Sequence, residues 1–89
     1  MQVLLHRSAD KYYERLNQAD KDRIDEALDD LEKKPPKGDI KPIARELGHF
    51  RLRVGSFRLL FRIKENVILV THIDPRGQAY SKKNKGKKR

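Results

Sequence analysis

Between positions 50 and 63 apolar residues and arginines alternate, and Gly55-Ser56 interrupts the alternation once. Phe50-Arg51-Leu52-Arg53-Val54 and Phe57-Arg58-Leu59-Leu60-Phe61-Arg62-Ile63 carry the period-two pattern of strands with one buried face. A two-residue connection with Gly first suits the type II′ turn of a tight hairpin. That turn fixes a register. Val54 falls opposite Phe57, Arg53 opposite Arg58, Leu52 opposite Leu59, Arg51 opposite Leu60 and Phe50 opposite Phe61. Residues paired across two strands project to the same side. One face therefore carries Phe50, Leu52, Val54, Phe57, Leu59, Phe61 and Ile63, a core face. The other carries Arg51, Arg53, Arg58, Leu60 and Arg62.

The chain before this hairpin has a helical period. Residues 2–6 read as a short strand. Ser8 is a candidate N-cap, and Ala9, Tyr12, Tyr13 and Leu16 follow at i, i+3, i+4 and i+7. Asp20 is the next cap candidate, with Ile24, Ala27, Leu28 and Leu31 repeating the spacing. Lys33 and Lys34 suit a helix C-terminus, and Pro35-Pro36 ends it. The two tyrosines on the stripe read as core. Residues 37–41 form a polar connection, and residues 42–47 hold a short edge strand. Beyond the hairpin, residues 64–66 turn the chain into a strand over 67–73, apolar on both faces as befits a strand inside a sheet. Its register is open, because the turn length is ambiguous. Residues 74–77 end it at a loop. The fold class is α+β: β-α-α-β with three or four strands after the helices, and the helical hairpin on one face of a small, mainly antiparallel sheet.

Eighty-nine residues make one domain, read as residues 1–80, followed by a basic tail over 81–89. The absence of cysteine excludes disulfides, thiolate catalysis and zinc ribbons. His6, His49 and His72 are too scattered to argue for a metal, and there is no Gly-rich phosphate loop. No cofactor is expected. The longest apolar run is too short to span a membrane and the N-terminus lacks signal-peptide features. A reduced, cytoplasmic setting is the expectation.

The net charge of +9 is unevenly spread. Residues 1–40 are net acidic, residues 41–80 are basic, and residues 81–89 contain six basic and no acidic side chains. Such segregation fits a polyanionic partner. The arginine face sharpens this. Arg53 and Arg58 stand directly opposite each other, where like charges destabilise a ribbon. No carboxylate on these two strands relieves them. Phosphates can supply the missing charge, and the guanidinium fork matches their oxygens. The alternative is neutralisation by acids from elsewhere in the fold.

Three segments, Arg45-Glu46-Leu47-Gly48, FRLRVGSFRLLFRI over 50–63 and PRGQAY over 75–80, resemble the RelE/ParE superfamily of toxins from type II toxin–antitoxin systems. The resemblance implies the same β-α-α-β fold, with the first strand beside the last. It favours the RelE-like branch, whose members cut mRNA in the ribosomal A site. ParE-like members instead poison DNA gyrase, and a non-catalytic RNA-binding protein is the third reading. The resemblance implies a cognate acidic antitoxin, a toxin–antitoxin hetero-oligomer, and the ribosome (rRNA and A-site mRNA) as partners.

It also points to Arg51, Arg53, Arg58, Arg76 and Tyr80, which together with His72, added for its imidazole chemistry, form the expected catalytic set of a metal-independent endoribonuclease. Arg58 is the foremost phosphate clamp. Tyr80 stacks on a base. Arg45, Arg62, Lys82 and Lys83 are expected to bind RNA. At the positions of Arg51 and Arg53 the RelE pattern often has lysines, one of them thought to act as base. An arginine, with a pKa above ~12, is a poor base. His72 has the right chemistry for acid–base work, and His49 is a weaker candidate.

Overall fold

The computed structural model describes residues 1–75. In chain order these form β1 (Gln2–Leu5), α1 (Arg7–Glu14), α2 (Gln18–Leu31), β2 (Asp39–Pro42), β3 (His49–Val54), β4 (Phe57–Lys64) and β5 (Val67–Pro75). The strands make one sheet in the order β1-β5-β4-β3-β2. β1 runs parallel to β5, its neighbour, and all other pairings are antiparallel. This is the expected α+β layering, with the first strand beside the last.

The β3–β4 register is the one the turn dictates, from Val54↔Phe57 to Phe50↔Phe61. Gly55 has φ +58, as the first central position of a II′ turn requires. Phe50 and Phe61 stack across the pair at 5.5 Å. Leu52, Phe57, Leu59, Phe61, Ile68, Val70 and Ile73 are buried on one side of the sheet, with Ala9, Ile24 and Leu31 of the helices in the same cluster. Tyr12 and Tyr13 pack against its margin. The Tyr13 hydroxyl donates to Asp25 Oδ1 at 2.6 Å, tying α1 to α2. That hydrogen bond, then desolvation and the charge of Asp25, hold the phenol pKa up at about 12. Tyr12 is also raised, first by burial and then by Asp74 and Asp20.

Four local expectations are corrected. The N-cap of α1 is His6, not Ser8: His6 Nδ1 accepts from the Ser8 backbone N–H at 3.2 Å. Ser8 is one turn position inside, and its hydroxyl donates to the Thr71 carbonyl at 3.0 Å. The N-cap of α2 is Asn17, not Asp20, because Asn17 Oδ1 accepts from Asp20 N–H at 2.8 Å. In both cases the residue that caps lies two or three positions before the donor it satisfies.

The edge strand β2 occupies Asp39–Pro42 rather than 42–47. Ile40 pairs with buried Leu52 and packs on the core, and Pro42, which has no N–H, ends the ladder. β5 runs on to Pro75 instead of ending at Ile73, since Phe57 and Arg58 still offer partners to Pro75 and Asp74.

Candidate functional site

The helices cover one face of the sheet, and the arginines project from the other. Arg51 pairs with Leu60, and Arg53 with Arg58, so Arg51, Arg53, Arg58, Leu60 and Arg62 share this open face. Arg51 and Arg58 are half-buried, while Arg53 and Arg62 are exposed. β2 and β5 extend the face: Asp39 lies opposite Arg53, Lys41 opposite Arg51, Asp74 opposite Arg58 and His72 opposite Leu60.

Two carboxylates therefore flank the cluster, which the two-strand reading lacked. Only one engages it. Asp39 Oδ2 is 3.9 Å from Arg53 Nε. Among the described residues, no ion pair involves Arg51, Arg58 or Arg62. Arg58 Nε is shielded from solvent and has no hydrogen-bond partner among them. A donor on a charged group left so costs about 1–3 kcal/mol or more.

Arg51 and Arg58 line one cleft of about 380 Å³ with Pro42, Ile43, Glu46 and Leu60. Arg62 lies in a separate depression with Leu4, Lys64, Glu65, Val67 and Leu69. Arg45, in the loop between β2 and β3 with φ +74, is exposed and does not line the cleft. The loop contributes Glu46 instead. Glu46 was not a candidate in the sequence, although it belongs to a quoted motif. Where its carboxylate goes depends on the path of residues 43–48.

His72 joins the face through a bulge. Leu60 pairs with His72 and Phe61 with Val70, leaving Thr71 without a partner. Its ring is exposed, with Nδ1 at 3.1 Å from Thr71 Oγ1. His49 is on β3, opposite Arg62, with Nδ1 at 3.2 Å from the Leu47 carbonyl oxygen. Arg76, Tyr80, Lys82 and Lys83 lie outside the described residues, as does the tail. Among the described residues, no cluster of three His, Asp or Glu side chains can hold a metal, and no helix is long and apolar enough to cross a membrane.

In the site as built, two arginines without an ion-pair partner among the described residues share a cleft. Glu46 lines it, and His72 stands opposite its Leu60. It is suited to hold a phosphodiester and to accept or return a proton next to it.

Residues 3–80 match the family model described as the ParE toxin of type II toxin–antitoxin systems. No curated protein sequence matches the chain. Among solved structures, the archaeal RelE–RelB complex from Pyrococcus horikoshii contains a chain 26% identical, with a TM-score of 0.73 over 86% of this chain and 96% of that one. The toxin–antitoxin complex RelBE2 from Mycobacterium tuberculosis gives 27% identity and a TM-score of 0.71 over 84% and 96%. The RelB–RelE complex from Methanococcus jannaschii, at 20% identity and a TM-score of 0.72 over 88% and 95%, is similar in fold.

Proposed function

Since the chain belongs to the ParE toxin family of type II toxin–antitoxin systems, within the RelE/ParE superfamily, we propose that it arrests growth by cutting mRNA on the ribosome. The observation that carries this reading is Arg58. It is fixed on a central strand, half-buried, with a shielded Nε that has no partner among the described residues, and it shares a cleft with Arg51. A surface evolved for solubility alone gains nothing from that arrangement. A phosphodiester held by the two guanidinium groups supplies the negative charge that the described residues do not.

In this reading Arg51 and Arg58 grip the scissile phosphate and stabilise the charge that grows on its oxygens. Arg53, Arg62 and Arg45 add backbone contacts around it, as do Lys82 and Lys83 beyond the described residues. Arg76 and Tyr80 complete the set by resemblance, the tyrosine stacking on a base. Glu46, which lines the cleft, and His72 and Asp74, opposite its Leu60 and Arg58, are the groups beside it able to accept a proton. An acidic antitoxin completes the system, as in the RelB–RelE complexes of the solved relatives. By covering the open face, such a chain replaces the phosphates and silences the toxin.

The family model's ParE description favours one competing target, DNA gyrase. Two assays separate them. The protein is expected to cleave mRNA in a purified translation reaction and to leave gyrase supercoiling unchanged. Inhibited supercoiling with intact mRNA would move the protein to the gyrase branch.

A further inference from the structure

We propose that Thr71 is a positioning residue that holds His72 in the Nδ1–H tautomer and leaves Nε2 as the proton acceptor of the open face. The inference deepens the mRNA-cleavage reading and rests on it for the identity of the proton.

Register places His72. From the Glu65-Asn66 turn, Lys64 pairs with Val67, Ile63 with Ile68, Arg62 with Leu69 and Phe61 with Val70. Uninterrupted, the ladder would place Thr71 opposite Leu60 and His72 opposite buried Leu59. A one-residue slip sends a side chain to the other face. The bulge at Thr71 makes that slip, so His72 sits opposite Leu60, a lining residue of the arginine cleft. Val70 and Ile73 are both buried with two residues between them, a spacing strict alternation forbids. The bulge is what brings an imidazole to the side of Arg51 and Arg58.

Hydrogen-bond accounting then fixes the ring. The Thr71 hydroxyl has one proton, and it donates that proton to the Leu60 carbonyl at 3.2 Å. With its proton directed to that carbonyl, Thr71 Oγ1 faces His72 Nδ1, 3.1 Å away, as an acceptor. In this arrangement Nδ1 carries the hydrogen, and in the neutral ring Nε2 is left with the lone pair. Thr71 is itself held from the helix side. Ser8 Oγ donates to its carbonyl at 3.0 Å, and the neighbouring Val70 carbonyl accepts from His6 N–H at 2.8 Å.

In the proposed cleavage, Nε2 takes the 2′-hydroxyl proton as the 2′-oxygen bonds to phosphorus. The bond from phosphorus to the 5′-oxygen breaks, that oxygen leaves with a proton from water, and the hydroxide so formed takes the proton back from Nε2 to restore the neutral ring. The products are a 2′,3′-cyclic phosphate and a 5′-hydroxyl.

The test reads the tautomer on the protein alone and the chemistry separately. Long-range 1H–15N NMR of the full-length, 15N-labelled protein at a pH where His72 is neutral is expected to show hydrogen on Nδ1. In Thr71→Val, nearly isosteric, the population moves toward Nε2–H, and Thr71→Ser keeps the original form. In single-turnover cleavage on ribosomes, Thr71→Val is expected to lose at least ~10-fold in rate, part of the ~100-fold or more a positioned base supplies. Ribosome affinity stays unchanged, and Thr71→Ser restores the rate. Nε2–H in the wild type overturns the inference, even if Thr71→Val does not fold. Full cleavage by His72→Gln, with activity lost in Glu46→Gln, overturns the acceptor role. An Nδ1–H ring in a protein that cuts no mRNA would reject the cleavage reading and the acceptor role together, while sustaining Thr71's hold on the ring.

Discussion

On the helix-covered side of the sheet, Leu52, Leu59, Phe61, Ile68 and Val70 are buried against Ile24 and Leu31. On the open side, Arg51, Arg58 and Arg62 stand within the same strands and have no ion-pair partner among the described residues. Both sets come from one alternating sequence and one turn. Burial of apolar area accounts for the first set. Nothing within the described fold accounts for the second, since facing arginines cost the ribbon stability. The proposed function assigns the first set to folding and the second to a partner, and substitutions on each side test the division.

The largest effect belongs to the covered side. Phe61→Ala removes a ring from the centre of the core and should cost about 3–5 kcal/mol. That is a large share of the ~5–15 kcal/mol stability of a small domain, so thermal or urea unfolding is expected to show a protein at or past its folding limit. The paired control, Arg51→Ala on the opposite face, should change stability by no more than ~1 kcal/mol. Equal losses would mean that the arginine face is structural.

A smaller effect is expected in the salt dependence of RNA binding. Each phosphate contact with single-stranded RNA adds about 0.7 to the slope of log affinity against log salt. Losing Arg58 or Arg62 should therefore flatten that slope by roughly this amount each. Asp39→Asn, which frees Arg53 from its carboxylate, should raise affinity about twofold, within the range of an exposed ion pair. Deleting residues 82–89 should weaken binding and flatten the slope while sparing the chemistry. A flat dependence in the intact protein would remove the electrostatic reading of the open face.

The smallest effect returns to the covered side. The Tyr13 phenol is raised from 10.0 to about 12 by its hydrogen bond to Asp25. A folded-state pKa above the unfolded one means that the unfolded chain loses its proton first. The contribution is whole below pH 10 and is lost as pH rises toward 12. Tyr13→Phe should flatten the fall in stability over that window. Unfolding curves between pH 9 and 12 decide it, and identical pH profiles would contradict the assigned hydrogen bond.

The sequence made the hairpin legible because its turn has two residues and its strands alternate, so one register satisfies both. The same reasoning misplaced the helix starts. Ser8 and Asp20 are good caps by type, but His6 and Asn17 hold the geometry, and a histidine cap has no strong signal. The edge strand was shifted because the packing of Ile40 against Leu52 is a long-range contact. The site was legible where it lay on the hairpin and obscure elsewhere. In Val67-Ile68-Leu69-Val70-Thr71-His72-Ile73 no alternation marks the bulge, so the face of His72 could not be read. Glu46 lines the cleft from a loop with Arg45 and Gly48 at positive φ, a path that local pattern does not encode.

In the proposed function the open arginine face performs phosphodiester chemistry without contributing to the fold. Single-turnover mRNA cleavage on translating ribosomes by Arg58→Ala, alongside its circular dichroism, tests this. A folded protein whose cleavage falls by about 100-fold or more is expected, as when a pre-positioned charge stabiliser is removed. A folded Arg58→Ala protein that cuts at the wild-type rate would overturn the proposal.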